Sequence, residues 1–279
     1  MSGAIPVRPP VQARRRRGPR RASAGLSPGR AAAALVVVLV VGAGWGLTAS
    51  EAFTVTELDV KGMDLTPSAA VATALSLSSP APNAFALATE PLGARLRALP
   101  TVAGVEVRVL LPGTLRVRLE EREPILAWRS VDRTLLIDRD GRVLIDATDP
   151  AATDAARAAA AALPTVDDRR VAPVVPGPGA TIDRLDLDVA TRLLSLRPAD
   201  LGSGATGLVV ALDDADGWIV QPSVDDPWTA VFGRYTAELR QPDLVPGQVR
   251  LLRSLLSGQE RKTLRVVLAD AENGVYLSR

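Results

Sequence analysis

The sequence predicts an α+β protein carried on one membrane-spanning helix, and three observations set that outline. Residues 31 to 50 run for twenty positions without a charge. The next stretch, about 70 residues long, reads as strand, helix, helix, strand, strand. Beyond it, short strands alternate with helices to the end of the sequence. The division that follows is a disordered basic tail at 1–30, a transmembrane helix at 31–50, a first folded domain at 53–123, and a mixed or antiparallel β domain with flanking helices at 124–279.

A helix rises about 1.5 Å per residue, so about 20 residues cross a hydrocarbon core roughly 30 Å thick. Val and Leu favour insertion weakly, and no Asp, Lys or Arg opposes them here. Eight arginines and no acid precede Ala31, and Glu51 is the first carboxylate of the chain. Short flanks rich in Lys and Arg stay cytoplasmic, which puts residues 51 to 279 on the far side. A cleaved signal peptide is the rival reading, with the apolar run ending near Val41 and small residues at Ala49 and Ser50 for a peptidase. The run instead continues through Trp45 and Leu47 to spanning length, which favours a retained anchor. Gly42 and Gly46 have the spacing that lets two helix backbones approach, although glycine is common in spans anyway.

Of the 33 basic residues, the eight in the tail leave 25 to balance all 31 acids beyond the span. That part is acidic, so the basic isoelectric point does not describe a nucleic-acid-binding body. Cysteine and histidine are both absent. No disulfide can brace the folded part, and Ser/His/Asp or Cys/His nucleophiles, Cys/His zinc sites and imidazole bases are excluded. The tail, rich in Arg, Pro, Gly and Ser, has too few large apolar side chains to form a core. Anionic lipid or an intracellular partner is a sharper reading of it.

Residues 53 to 60 are rich in β-branched and apolar residues and stop at Lys61-Gly62, as a strand ending in a turn does. Thr66 and Pro67 read as an N-cap and first helical residue, followed by Ala70, Val71, Ala74 and Leu75 on one helix face. A second helix begins near Thr89-Glu90-Pro91 with Leu92, Leu96 and Leu99 as its apolar stripe, and Pro100 stops it. Val105, Val107 and Val109 then alternate with charge, as do Leu115, Val117 and Leu119, and Leu111-Pro112-Gly113-Thr114 joins the two as a hairpin.

At this point the chain resembles the POTRA domain of the bacterial cell-division family FtsQ/DivIB. The resemblance rests on the strand ending in Lys61-Gly62, the two short helices, Leu99-Pro100-Thr101-Val102, the run from Val107 to Leu115, and Glu120-Glu121-Arg122-Glu123-Pro124. Trp128 and Ile137-Asp138-Arg139-Asp140-Gly141-Arg142-Val143 extend it, as does the layout of basic tail, single span, POTRA and β domain.

In the second domain, residues 125 to 129, 134 to 138 and 142 to 145 read as strands, with a tight turn at Asp140-Gly141. Residues 151 to 163 are Ala-rich and read as a short exposed helix or mobile insertion. Helices are expected at 186 to 196 and 246 to 256, strands at 208 to 212, 218 to 221, 228 to 232, 263 to 268 and 274 to 277, and a Pro/Gly loop at 173 to 179.

Motifs that suggest chemistry have plainer readings. Gly202-Ser-Gly204-Ala-Thr-Gly207 matches a dinucleotide fingerprint but precedes a strand, where that motif needs a helix. Asp213, Asp214 and Asp216 resemble half a calcium loop, yet Leu212 and Ser223 stand where its terminal carboxylates belong. Asp138 and Asp140 flank a turn that favours Asp for backbone reasons, and Glu120 and Glu121 point to opposite faces of a strand. No cofactor, metal, nucleic acid or small-molecule substrate is expected.

The resemblance implies a non-catalytic cell-division scaffold at the septum that recruits the small coiled-coil division proteins FtsB and FtsL, and through them the septal peptidoglycan synthase. It places that partner edge at Val267, Leu268, Ala269, Asp270, Val275, Tyr276 and Leu277. The physical route would be strand addition, in which a partner segment pairs with an open sheet edge through main-chain hydrogen bonds. Two alternatives are a membrane-tethered POTRA chaperone for exported polypeptides and an anchored carboxylate hydrolase, the latter needing paired carboxylates about 5 to 9 Å apart in a cleft.

Overall fold

A computed structural model describes residues 27–77, 81–171, 177–223, 228–239 and 241–278. The Arg-rich tail up to residue 26, on which the cytoplasmic expectation rests, lies outside the described residues. Helix α1 (Pro28–Ala49, 22 residues) covers all of the expected span 31–50 but Ser50, and is long and apolar enough to cross a membrane. Its Leu and Val side chains from 35 to 41 are exposed, as an apolar helix surrounded by lipid requires.

The first folded unit is built in the expected order. Strand β1 (Glu57–Lys61) is followed by α2 (Ser68–Leu75), α3 (Thr89–Arg97), β2 (Val102–Leu110) and β3 (Thr114–Glu121). β3 lies in the middle, parallel to β1 and antiparallel to β2. Its inward residues Leu115, Val117 and Leu119 meet Val71 and Leu75 of α2 and Leu92 and Leu96 of α3 in one buried cluster. The predicted cap is corrected. Pro67 stands in the N-cap position with no side-chain bond, and α2 begins at Ser68. Thr66 is instead 1% exposed, its hydroxyl donating to Glu121 and lying 2.6 Å from the Thr101 hydroxyl.

The second unit is a single nine-stranded sheet. In chain order its elements are β4 (Pro124–Ser130), β5 (Arg133–Asp138), β6 (Val143–Asp146), α4 (Asp154–Ala162), β7 (Thr165–Asp168), α5 (Arg184–Leu194), β8 (Leu208–Asp213), β9 (Gly217–Pro222), β10 (Thr229–Gly233), α6 (Val245–Leu256), β11 (Thr263–Leu268) and β12 (Gly274–Ser278). Across the sheet they run β12-β11-β10-β9-β8-β7-β4-β5-β6. Three neighbouring pairs, β4 with β7, β7 with β8 and β10 with β11, are parallel, and helical crossovers connect them. Helices α5 and α6 cover one face, over a core that includes Trp128, Trp218, Trp228 and Phe232.

Two sequence expectations change here. The strand β7, with Val166 as its one large apolar residue, was not anticipated, yet it sits near the middle of the sheet and Val166 is fully buried. The Ala-rich segment forms a short helix with six of its nine residues exposed, as one of its two readings had it, but it is not a detached insertion. Ala156 of α4 and the preceding Ala152 pack on Ala127, Leu136 and Leu144 and cover the second face of the sheet. Leu65 from the first unit joins that same cluster, so the two units share packed surface.

Candidate functional site

The candidate site lies at the β11–β12 end of the nine-stranded sheet. β11 and β12 pair antiparallel, with Val266 opposite Tyr276, Val267 opposite Val275 and Leu268 opposite Gly274. Alternation therefore splits the five predicted residues that lie in these strands, Val267, Leu268, Val275, Tyr276 and Leu277, between two faces. Leu268 is fully buried against the helices, and Tyr276 packs against the same core with its hydroxyl accepting from the Thr263 hydroxyl at 3.3 Å. Val275 and Leu277 project to the other face, 60% and 48% exposed.

On that outer face the register aligns Ala211, Ile219, Val231, Val267 and Val275, one from each of five consecutive strands. The result is an apolar row, buried at Ala211, Ile219 and Val231, half-buried at Val267 and exposed at Val275, that ends at the sheet margin. Ala269 and Asp270 belong to the connecting turn. The Asp270 carboxylate accepts from the backbone of Glu272 and Asn273, both at 2.7 Å, and from Asn273 Nδ2 at 2.8 Å. Asp270 thus shapes the hairpin, and a docking role is not needed to explain it.

The two margins of the sheet differ. At β6, the segment 179–182 pairs with the strand: Val143 N–H donates to Ala180 O at 2.9 Å, Gly179 N–H donates to Val143 O at 2.8 Å, and Arg142 bridges Thr181. At the opposite margin β12 pairs with β11 alone among the described residues. One row of main-chain donors and acceptors is thereby left open for an added strand.

Residues that sequence reasoning missed hold this end rigid. Gln248 of α6 is fully buried, donates from Nε2 to Leu268 O at 3.0 Å and to Phe232 O at 3.1 Å, and accepts from the Tyr235 hydroxyl. It fastens the ends of β10 and β11 to the helix above them. A Cβ at Gly247 would come 2.5 Å from Ala271 Cβ, so glycine lets α6 approach the β11–β12 turn. Glu260, just before β11, accepts from Gly204 N–H and Trp228 Nε1, both at 2.9 Å, and from the Ser203 hydroxyl. Burial alone would raise its carboxyl, but these donors outweigh that and hold it below the ordinary range. The glycine motif at 202–207 is thus a loop clamped by Glu260. A polar residue inside an apolar helix stripe, as Gln248 is, was the one available signal for this clamp.

The carboxylates singled out as candidate chemistry are committed to structure. Asp138 accepts from Asp140 N–H and Arg142 N–H, both at 2.9 Å, and from Arg122 at 2.9 Å. Glu121 accepts from three consecutive backbone N–H groups, Asp64 at 2.9 Å, Leu65 at 2.8 Å and Thr66 at 2.7 Å. In the cleft shared by Asp186, Asp213 and Asp214, Asp213 accepts from Ala215 and Asp216 N–H and Asp214 from Val171 N–H. The hydrolase alternative gains no support from these groups.

Comparison with known proteins follows the same outline. The family described as POTRA domain, FtsQ-type, matches residues 53–122, which fold into the three-stranded unit. The chain is similar to the cell division protein FtsQ of Mycolicibacterium smegmatis, 30% identical over 213 residues covering 75% of this chain and 59% of that protein. It is 33% identical over 107 residues to the FtsQ of Mycobacteroides abscessus, covering 38% of this chain and 34% of that one. With the FtsQ of Cereibacter sphaeroides it shares 36% identity over 94 residues, 34% of this chain and 30% of the relative. The chain thus spans from under a third to about three fifths of the length of the curated relatives it matches. The matched segment, in strand–helix–helix–strand–strand order, is thus a POTRA domain of the FtsQ type, and the chain around it is similar to cell division proteins named FtsQ.

Proposed function

We propose that this protein is a membrane-anchored, non-catalytic scaffold of the division septum, with the tail cytoplasmic and the POTRA and β domains extracytoplasmic. Its partners are FtsB and FtsL, and through them the septal peptidoglycan synthase. The partner supplies a strand that pairs with the outer side of β12. The observation that carries this reading is the asymmetry of the nine-stranded sheet: the chain's own backbone pairs with the margin at Arg142 and Val143, whereas β12 pairs with β11 alone among the described residues. Main-chain pairing would give affinity, and the exposed Val275 and Leu277 beside the apolar outer row would select the partner's side chains.

The test uses substitutions that leave the core alone. Val275→Glu with Leu277→Glu places charge on the open strand without touching Leu268 or Gln248. Loss of FtsB and FtsL from affinity purifications of the full-length protein, with unchanged protein level, is the expected outcome. Equal recovery of both partners by this variant would move the site away from β12. Broad, weak capture of unrelated exported polypeptides would favour the chaperone reading instead.

A further inference from the structure

Three segments far apart in sequence are tied by backbone bonds and one side-chain bond into one end of the three-stranded unit. Asn83 Nδ2 donates to Ser50 O at 3.1 Å, Val55 N–H to Pro82 O at 3.0 Å, Ala84 N–H to Phe53 O at 2.7 Å, and Thr56 N–H to Gly113 O at 2.9 Å. Asn83 Oδ1 also accepts from Phe85 N–H at 2.9 Å, which holds the 83–85 turn. A Cβ at Gly113 would lie 2.3 Å from Thr54 O, so the β2–β3 turn is pressed against residue 54. This end is therefore a fixed surface.

It is also an apolar one. The Phe53 and Phe85 rings meet edge to face, with centroids 5.0 Å apart. Phe85 is nevertheless 47% exposed, and Leu111, at the tip of the neighbouring turn, is 57% exposed. Residues 50 to 56, 81 to 87 and 111 to 114 together hold a single charged side chain, Glu51. Nothing in the cores described above accounts for Phe85 or Leu111.

We propose that this end, through Phe85 and Leu111 with Phe53 behind them, rests in the lipid headgroup layer of the membrane that α1 spans. The inference rests on the reading of α1 as a span. Covalent connection supplies the occupant: Phe53 follows Ala49, the last residue of α1, by four positions. Four residues reach at most about 14 Å when fully extended. Residues Glu51–Phe53 form a 3₁₀ turn, rising about 2 Å per residue, so the actual reach is shorter. The headgroup layer is itself roughly 5 to 8 Å deep on each side. An aromatic and aliphatic surface with Glu51 as the one charge in its three segments, held so close to a bilayer, is suited to its interface, where amphipathic and apolar side chains anchor.

The absence of native cysteine permits a direct test on the full-length chain. Single cysteines replace Phe85, Leu111, Gly44 within α1, or Val131, which is 90% exposed on the β4–β5 turn. Each carries an environment-sensitive fluorophore, and the protein is reconstituted in phosphatidylcholine vesicles with or without brominated acyl chains. The expected result is strong quenching by bromine at 44, partial quenching with a blue shift at 85 and 111, and none at 131. Leu111→Cys, at an exposed turn, carries the test even if Phe85→Cys perturbs the ring pair. Quenching at 44 with 85 and 111 behaving like 131 overturns the proposal while the span stands. No quenching at 44 removes the span reading and the proposal together. A blue shift at 85 and 111 without bromine quenching assigns the surface to a protein neighbour and overturns the lipid contact.

Discussion

Asp168 and Asp186 both feel Arg170, and their carboxyls are shifted in opposite directions from the ordinary value. Asp168 is 4% exposed, accepts from Trp128 Nε1 at 3.0 Å and takes two bonds from the Arg170 guanidinium, at 2.9 and 2.6 Å. Burial works to raise its carboxyl, but the Arg170 and Trp128 bonds outweigh it and hold the carboxyl below its ordinary 3.8. Its stabilisation is therefore full above pH 3.8 and is lost as pH falls through the lower folded value. Asp186 is the reverse: burial raises it above 3.8, despite Arg170 and an indole bond from Trp218. The folded state then holds that proton more tightly, so stability falls as pH rises from 3.8 through the higher folded value. Asp168→Asn should cost about 1–3 kcal/mol at neutral pH, with the loss shrinking in acid. Asp186→Asn should gain stability at neutral pH, with the gain vanishing below pH 3.8. Urea unfolding followed by tryptophan fluorescence across pH 3 to 7 reads both, and parallel pH profiles for the two variants would contradict the assignment.

Among the elements, the loop before α2 depends on one side chain from β3. Glu121 satisfies three backbone N–H groups that no helix turn or strand pairs, and the loop carries Leu65 onto the β domain. Glu121→Ala leaves those donors without their acceptor and should destabilise the POTRA unit by about 1–3 kcal/mol. Hydrogen exchange should accelerate at residues 63 to 66 and in α2, with β8 to β10 unchanged. Protection that stays uniform would show that water replaces the carboxylate without cost. The Glu120-Glu121 pair was legible as two faces of a strand, but the destination of Glu121 was not, because its partners lie more than fifty residues away. For the same reason α4 read as an appendage. Alanines carry little hydrophobic signal, and only the facing Ala127, Leu136 and Leu144 make its close approach to the sheet favourable.

For the whole molecule, the remaining expectation is orientation. A cysteine placed at Val131 should react with a membrane-impermeant maleimide in intact cells, whereas one placed at Ser2 should react only after permeabilisation. The opposite pattern would invert the topology and remove the extracytoplasmic scaffold reading.

What the sequence determined by itself was everything encoded in local periodicity. The twenty-residue uncharged run specifies a helix long and apolar enough to cross a membrane, and the 3.6-residue stripes of α3, α5 and α6 and the alternating strands of the POTRA unit each bury a continuous face, which is the dominant local driving force. Tertiary structure decided the rest: the place of β7 in mid-sheet, the parallel crossovers, the clamps made by Gln248 and Glu260, and which sheet margin stays open. These depend on pairing between residues distant in the chain. A main-chain hydrogen bond takes the same form whatever side chains flank it, so the chain's order of residues does not reveal which strand edge finds a partner and which is left without one.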